Sequence, residues 1–134
     1  VNAFKGVEVG AGFASSAVFG SELHDEILFE DDKITRSRNN AGGIEGGMSN
    51  AQPIHVKVSM KPISTLIKPL RSIDLNTMEP KLAHKERTDS CAVPAASIIG
   101  ESMLAIVLAD ALLEKFGGDS IKQLKKHIKS SGKY

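Results

Sequence analysis

The sequence predicts an α+β fold in which helices pack between antiparallel sheets. Three observations predict it: short strand patterns occupy the first half, a long apolar helix pattern follows, and an amphipathic helix pattern ends the chain. The chain has 134 residues, a length that suits one domain. We expect residues 1–118 to form the main domain and residues 119–134 to form a lysine-rich helical tail.

Short apolar segments bounded by turn residues predict the strands. FKGVEVG predicts a short strand that ends in glycine, and ILFEDDKITRSR predicts a hairpin with an acidic turn at Glu30 to Asp32. In IHVKVSM, residues 54–60, apolar and polar residues alternate, which indicates a strand with one wet face. RSIDLNT is a further candidate strand, whereas the two prolines of KPISTLIKPL predict that at least its first half is a loop.

The long helix is predicted from Pro94 to Phe116. Proline suits the first turn of a helix, and Gly117 and Gly118 suit its end. Its apolar residues point in nearly every direction, and only Glu101, Asp110 and Glu114 interrupt them. A helix that is apolar on most of its circumference is covered on more than one side. We therefore expect this helix to lie between sheet layers.

The tail predicts a second helix, capped by Asp119 or Ser120, with an apolar stripe. Its lysines predict a solvated face, with binding to a partner or to an anionic surface as the alternative: Lys122, Lys125, Lys126, Lys129 and Lys133.

The charge balance, the longest apolar run and the cysteine count limit the partners that the chain can bind and the compartment in which it can work. Lysine plus arginine number 17 and aspartate plus glutamate number 16, so we expect no nucleic-acid binding, which needs a strong basic excess. The longest wholly apolar run, Met103–Ala109, is far short of the roughly 20 residues of a membrane span. A single cysteine, Cys91, excludes an intrachain disulfide, and no signal-like segment is visible. These features favour a cytoplasmic protein without a membrane segment, and Val1 suggests a processed chain or a fragment.

Two glycine-rich segments come close to nucleotide-binding motifs. VEVGAGFASSA resembles a dinucleotide fingerprint, but Ser15 stands where glycine or alanine is required and no second βαβ unit follows. AGGIEGGMSN has P-loop spacing, but Met48 replaces the phosphate-binding lysine. The glycines of the second segment are expected to allow close approach of the backbone to a flat or bulky group. The four histidines and Cys91 lack metal-binding or nucleophile motifs, so no metal site is expected.

Three segments together carry a family resemblance: NNAGGIEGGMSN at 39–50, MKPISTLIKPL at 60–70, and ERTDSCAVPAASIIGESMLAIVLADALLEKFGGDS at 86–120. In this order and spacing, with NAFKGVEVGAGF near the start, the chain resembles the C-terminal third of chorismate synthases. The resemblance runs from Asn2 to about Ser120 and leaves the tail outside.

The resemblance implies a β-α-β sandwich and a homotetramer. It implies an FMN-dependent carbon–oxygen lyase of the shikimate pathway, which serves aromatic amino acid biosynthesis. The reaction is the anti-1,4-elimination of phosphate from 5-enolpyruvylshikimate 3-phosphate to give chorismate. The cofactor is reduced FMN, with no net redox change, and the resemblance also links this flavoprotein to NADP. Whether flavin reduction is intrinsic or supplied from outside stays open.

The resemblance also implies roles for residues. Asn2 and Ala3 match a flavin-contacting pair, and Gly46 matches a glycine whose backbone lies against FMN. The FMN loop comprises Lys61, Pro62, Ile63, Ser64 and Thr65. Arg87 matches an arginine between flavin and substrate, and Asp89 matches the acid near flavin N5; these two are the candidate catalytic residues. Ala51 departs from the family, which commonly has glycine there.

Each assignment has a simpler alternative. The Lys61 loop could be a proline-stiffened connector, Arg87 a surface ion pair, and Asp89 a helix cap. The alternatives for the whole chain are a non-catalytic module that binds a phosphorylated ligand and a plain interaction domain. The general-acid histidines of the family lie outside this chain, so the isolated chain is expected to be inactive.

Overall fold

The computed structural model describes residues 1–86 and 90–131. The chain divides into two compact units: residues 2–64, here called the N-terminal unit, and Val1 with the residues from Thr65 onward, here called the C-terminal unit. Both combine short antiparallel strands with helices, so the predicted α+β class is confirmed for the described residues.

The N-terminal unit is built on one antiparallel pair of strands and two hairpins. Its strands are β1 (Phe4–Val9), β2 (Ile27–Glu30), β3 (Lys33–Arg36), β4 (Ile44–Glu45), β5 (Met48–Ser49) and β6 (Val56–Met60), and its helices are a 3₁₀ helix (Gly12–Ala17) and α1 (Gly20–Leu23). Strands β1 and β6 pair from Phe4 opposite Met60 to Val9 opposite Val56, with an irregularity between Phe4 and Gly6. This ladder confirms the strands predicted in FKGVEVG and IHVKVSM.

The predicted hairpin with an acidic turn is also confirmed. Strands β2 and β3 pair in register, and the turn residues Asp31 and Asp32 have φ of 50° and 58°. Positive φ at both central residues is the geometry of the two-residue hairpin turns, and aspartate tolerates it better than most residues.

The C-terminal unit contains a third hairpin and the two long helices. Its elements are β7 (Arg71–Ile73), β8 (Pro80–Leu82), α2 (Val93–Phe116) and α3 (Ile121–Ser130). Strand β8 was not predicted; Pro80 is tolerated because it is the first residue of the strand, in a sheet of only two strands.

Helix α2 lies within one residue of its predicted limits. Pro94 occupies the first turn, and the helix ends at Gly117, whose φ is 59° and whose N–H donates to the carbonyl oxygen of Leu113 over 2.7 Å. Of the two predicted caps for α3, Ser120 is the one that accepts a hydrogen bond from the Gln123 N–H. Helix α3 contacts α2, and its Leu124 is buried.

Most of the surface of α2 is exposed. Ala96 is its one buried residue, and the side chains of Ile98, Ile106 and Val107 are each more than half exposed. The described residues of this chain therefore do not supply the covering layers that we expected around this helix. By length and composition α2 could also cross a membrane, contrary to the expectation from its apolar run, but core helices of soluble proteins meet the same test.

Candidate functional site

The β1–β6 ladder brings together two of the segments predicted to contact flavin. The backbone N–H of Lys61 donates to the carbonyl oxygen of Ala3, with 2.7 Å between nitrogen and oxygen. This bond extends the ladder one step beyond the Phe4–Met60 pair. Ala3 has φ of 66°, the left-handed region, so the chain turns sharply between Asn2 and the start of β1. Asn2, Ala3 and Lys61 therefore lie at one end of a single ladder.

The loop that begins at Lys61 is irregular, as its prolines predicted. Residues 61–64 are exposed, and Thr65, the first residue of the C-terminal unit, is half-buried. The ammonium group of Lys61 forms no ion pair with any residue that the structure describes. Within the N-terminal unit, the exposed side chains of Lys61 and Ser64 are donors of the kind that can hold a phosphate group.

The four glycines of AGGIEGGMSN fall into two pairs with different roles. Gly42 and Gly43 lie where a Cβ would overlap other backbone: that of Gly10 for Gly42 and that of Pro53 for Gly43. Gly46 and Gly47 form the tip of the β4–β5 hairpin with φ of 58° and 77°, and a Cβ on either would meet nothing within 4 Å. The first pair allows close packing, and the second makes a tight turn whose surface is open.

Backbone hydrogen bonds attach the glycine segment to the other end of the ladder. The Gly10 N–H donates to the His55 carbonyl over 2.9 Å, and the His55 N–H donates to the Gly42 carbonyl over 3.1 Å. The Asn50 N–H closes the base of the hairpin on the Gly43 carbonyl over 3.0 Å. Among the described residues, no hydrogen bond links Gly46 to the Ala3–Lys61 end. The candidate residues of the N-terminal unit thus form two groups at opposite ends of the β1–β6 ladder. Asn2, Ala3 and Lys61 form one group, and Gly46 belongs to the other.

One carboxylate oxygen beside the tip collects three hydrogen bonds. Oε2 of Glu45 accepts from Asn50 Nδ2 over 2.8 Å and from Arg36 Nη2 and Nε over 2.9 and 3.3 Å. The hydrogen bond from Asn50, followed by that from Arg36, lowers the pKa of the Glu45 carboxyl below its usual range. Glu45 therefore remains ionised at neutral pH and joins β4 to β3.

A small cavity lies beside this segment. Its volume is about 210 Å³, and Asp25, Asn40 and Glu45 are among its lining residues. The Asp25 carboxylate accepts hydrogen bonds from the backbone N–H groups of Asn40 and Ala41, each over 2.9 Å. Asp25 thereby fixes the chain that leads into the glycine segment.

The structure disfavours both nucleotide-binding motifs. The glycines after β1 lead into a 3₁₀ helix, and the partner of β1 is antiparallel, so no βαβ unit forms among the described residues. The P-loop-like spacing falls on a β-hairpin, whereas a P-loop leads into a helix. Within residues 1–86 and 90–131, no group of three potential metal ligands is found.

The two candidate catalytic residues, Arg87 and Asp89, lie outside the described residues. Sequence reasoning missed the network of Arg36, Glu45 and Asn50, because its members belong to different short elements and share no periodicity. Ala51 has φ of 66°, a conformation that glycine adopts readily. The position where we expected a departure from the family is therefore a left-handed residue.

A family profile described as chorismate synthase matches residues 1–113. The chorismate synthase of Aquifex aeolicus is 56% identical over 138 residues, which cover 97% of this chain and 35% of that protein. The chorismate synthase of Syntrophotalea carbinolica is 48% identical over 134 residues and covers 100% of this chain and 35% of that protein. This match includes the tail that the motifs alone left outside the resemblance.

A comparison with solved structures gives the same family as the sequence matches. The chain superposes on a crystal structure of chorismate synthase with a TM-score of 0.72 and 44% identity, covering 97% of this chain and 32% of that one. The fold of the described residues is therefore that of the corresponding third of this solved chain. The chain spans about a third of the length of the curated relatives that it matches.

Proposed function

Since the chain belongs to the chorismate synthase family, we propose that the full-length protein containing it is an FMN-dependent lyase. Its reaction is the anti-1,4-elimination of phosphate from 5-enolpyruvylshikimate 3-phosphate, which yields chorismate for aromatic amino acid biosynthesis. One proton and one phosphate leave the substrate, so the reaction has no net redox change. The observation that carries the proposal is the family match over residues 1–113; the Lys61–Ala3 hydrogen bond supports it by joining two segments that we expect in the flavin site.

The residues of the chain fit an FMN phosphate at the Lys61 end of the ladder. Lys61 offers a charge that no described carboxylate neutralises, and Ser64 and Thr65 offer hydroxyl groups a few residues away. Charge-assisted hydrogen bonds to phosphate are about twice as strong as neutral ones. Asn2, Ala3, Pro62 and Ile63 complete this cofactor-binding set in the proposal.

The residues also fit a flat ring at the glycine tip. Because a Cβ at Gly46 would meet nothing within 4 Å, the surface of the turn is open to a ligand. A glycine there leaves the backbone bare, so a ring can lie against it without an intervening side chain.

When bound, reduced FMN supplies the base for the elimination. In the proposal Asp89 then holds and passes on the proton, and Arg87 grips the phosphate or carboxylate of the substrate through two parallel hydrogen bonds. A carboxylate does this best when its pKa lies near the working pH. The general acids come from parts of the family outside this chain, so we propose that the isolated chain is inactive.

The remaining features of the proposal concern assembly and cellular context. We propose a cytoplasmic homotetramer that acts on a small molecule and requires neither nucleic acid nor a membrane. NADP enters as a candidate source of reducing equivalents for the flavin. The proposed domain boundary stays at residue 118, with the lysine-rich helix as an appended tail.

The test is an anaerobic assay of the full-length protein with the enolpyruvyl phosphate. Release of inorganic phosphate and formation of chorismate are followed with reduced FMN, with oxidised FMN and without flavin. The proposal predicts turnover in the assay that contains reduced FMN, and none with oxidised FMN or without flavin. Binding of FMN without phosphate release would instead support the non-catalytic module for phosphorylated ligands.

A further inference from the structure

The glycine tip of the β4–β5 hairpin has little to hold it in place. The hairpin contains two residue pairs, Ile44 with Ser49 and Glu45 with Met48. An isolated two-stranded hairpin is at best marginally stable in water, and this one is shorter than most. Among the residues that the structure describes, none lies within 4 Å of a Cβ placed on Gly46 or Gly47, so packing restrains the turn little. The position of the tip must therefore be fixed from the base of the hairpin.

Glu45, the residue before the tip, links the base of the hairpin to two other residues: Asn50, which follows β5, and Arg36 at the end of β3. Its bond from Asn50 Nδ2, over 2.8 Å, spans the hairpin, because Asn50 directly follows β5. Its bonds from Arg36 reach a different hairpin, because Arg36 is the last residue of β3. The side chain of Arg36 is 15% exposed and that of Glu45 41%, so water reaches this pair only in part.

We propose that Glu45 is a positioning residue for the flavin: through Arg36 and Asn50 it holds the Gly46–Gly47 tip where the ring is to lie. This inference rests on the proposed function, since it takes the ring to lie against Gly46. The lowered pKa of the Glu45 carboxyl agrees with it, because the ionised form is the stronger acceptor. Glu45 acts through the backbone of the tip and touches no reacting atom.

The experiment uses the full-length protein and two measurements. Hydrogen–deuterium exchange of peptides that span residues 44–50 reports how firmly the tip is held without ligand. Quenching of flavin fluorescence gives the Kd for FMN. The variants are Glu45→Ala, which removes the acceptor, and Glu45→Gln, which keeps an acceptor oxygen. The matched control is Asp74→Ala, because Asp74 is a hairpin carboxylate that pairs with Lys81 over 3.0 Å in the other unit.

We expect Glu45→Ala to accelerate exchange in residues 44–50 by about tenfold or more, as local opening becomes easier, and to raise the Kd for FMN by about tenfold. Glu45→Gln should restore both values to within about threefold of the parent, since the neutral oxygen still accepts hydrogen bonds. Asp74→Ala should change neither. The melting temperature, measured in parallel, identifies any variant that has lost its global fold.

Two results would overturn the inference. Exchange in residues 44–50 that stays at the parent rate in Glu45→Ala would mean that the tip does not depend on Glu45. Faster exchange in residues 44–50 with a Kd for FMN at the parent value would mean that holding the tip does not position the flavin. If the parent itself binds no FMN, the proposed function fails, while the exchange measurement still decides whether Glu45 holds the tip.

Discussion

The backbone N–H of Lys61 donates a hydrogen bond to the carbonyl oxygen of Ala3 over 2.7 Å. This bond fixes the start of the Lys61 loop against the turn that contains Asn2. Two segments far apart in sequence therefore form one end of a ladder, and both belong to the flavin site that we propose.

We predict that Lys61→Ala in the full-length protein weakens FMN binding by about 1.5–3 kcal/mol, the range for a hydrogen bond to a charged group. The free energy of unfolding of the variant should barely change, because the Lys61 side chain is exposed and the backbone hydrogen bond to Ala3 survives the substitution. Lys68→Ala is the matched control, since Lys68 is also an exposed lysine followed by proline. Isothermal titration with FMN measures the effect, and an unchanged Kd in Lys61→Ala would remove this lysine from the site.

The two tip glycines allow backbone geometry to be separated from ligand contact. Asparagine tolerates positive φ, so Gly46→Asn and Gly47→Asn should both keep the turn and fold normally. We predict that Gly46→Asn raises the Kd for FMN by about tenfold or more, because a side chain enters the space of the ring, whereas Gly47→Asn stays near the parent. Equal Kd values for the two variants would leave Gly46 with a turn-forming role alone.

Replacement of Ala51 by glycine should stabilise the protein. A left-handed conformation costs a non-glycine residue about 1–2 kcal/mol, and the entropy cost of glycine offsets about half of that, so Ala51→Gly should gain about 0.5–1 kcal/mol. The control is Ala11→Gly, because Ala11 has φ of −66° and should lose stability on the same substitution. Urea denaturation of the full-length protein measures both changes in the free energy of unfolding. A loss of stability in Ala51→Gly would mean that the backbone at Ala51 is not strained.

The titration of Glu45 should occur below its ordinary pKa of 4.5, because Asn50 and then Arg36 stabilise the ionised form. A lowered folded-state pKa means that the stabilising contribution is present above pH 4.5 and is lost as the pH falls through the folded value. Desolvation of the carboxylate and, to a smaller extent, the charge of nearby Asp25 oppose this shift in pKa. Carbon-13 NMR of the glutamate carboxyl groups measures the midpoint, which Asn50→Ala and Arg36→Met should each raise. A midpoint at or above 4.5 in the parent would mean that the network does not form in solution.

The elements with strong local signals were predictable from sequence. Helix α2 was placed to within one residue because proline and glycine mark its ends, and the β2–β3 hairpin because two aspartates separate alternating runs. The β4–β5 hairpin and β8 were missed, because strands of two or three residues show no period.

The candidate site was predictable only in part. The identities of Lys61, Gly46 and their neighbours came from the family resemblance, since no periodicity singles them out. The Arg36–Glu45 contact depends on how two hairpins lie beside each other, which tertiary structure alone determines. The solvent exposure of α2 could not be predicted from the sequence either. An apolar pattern predicts that a helix is buried, but it does not identify the residues that pack against the helix.

We propose that Asp89 is the acid near flavin N5 and that it handles the proton of the elimination. Asparagine keeps the shape of the side chain and can still accept a hydrogen bond as a helix cap, but it cannot take up a proton. Asp89→Asn in the full-length protein therefore separates proton handling from folding. The matched control is Asp74→Asn, which alters an exposed carboxylate of a hairpin.

The deciding measurement is kcat for phosphate release by Asp89→Asn under anaerobic conditions with reduced FMN. We predict a fall of about 10²–10⁴-fold, the usual contribution of a positioned acid or base, with the Kd values for FMN and substrate nearly unchanged. A kcat within about threefold of the parent, far below that range, would contradict the account and leave Asp89 as a helix cap.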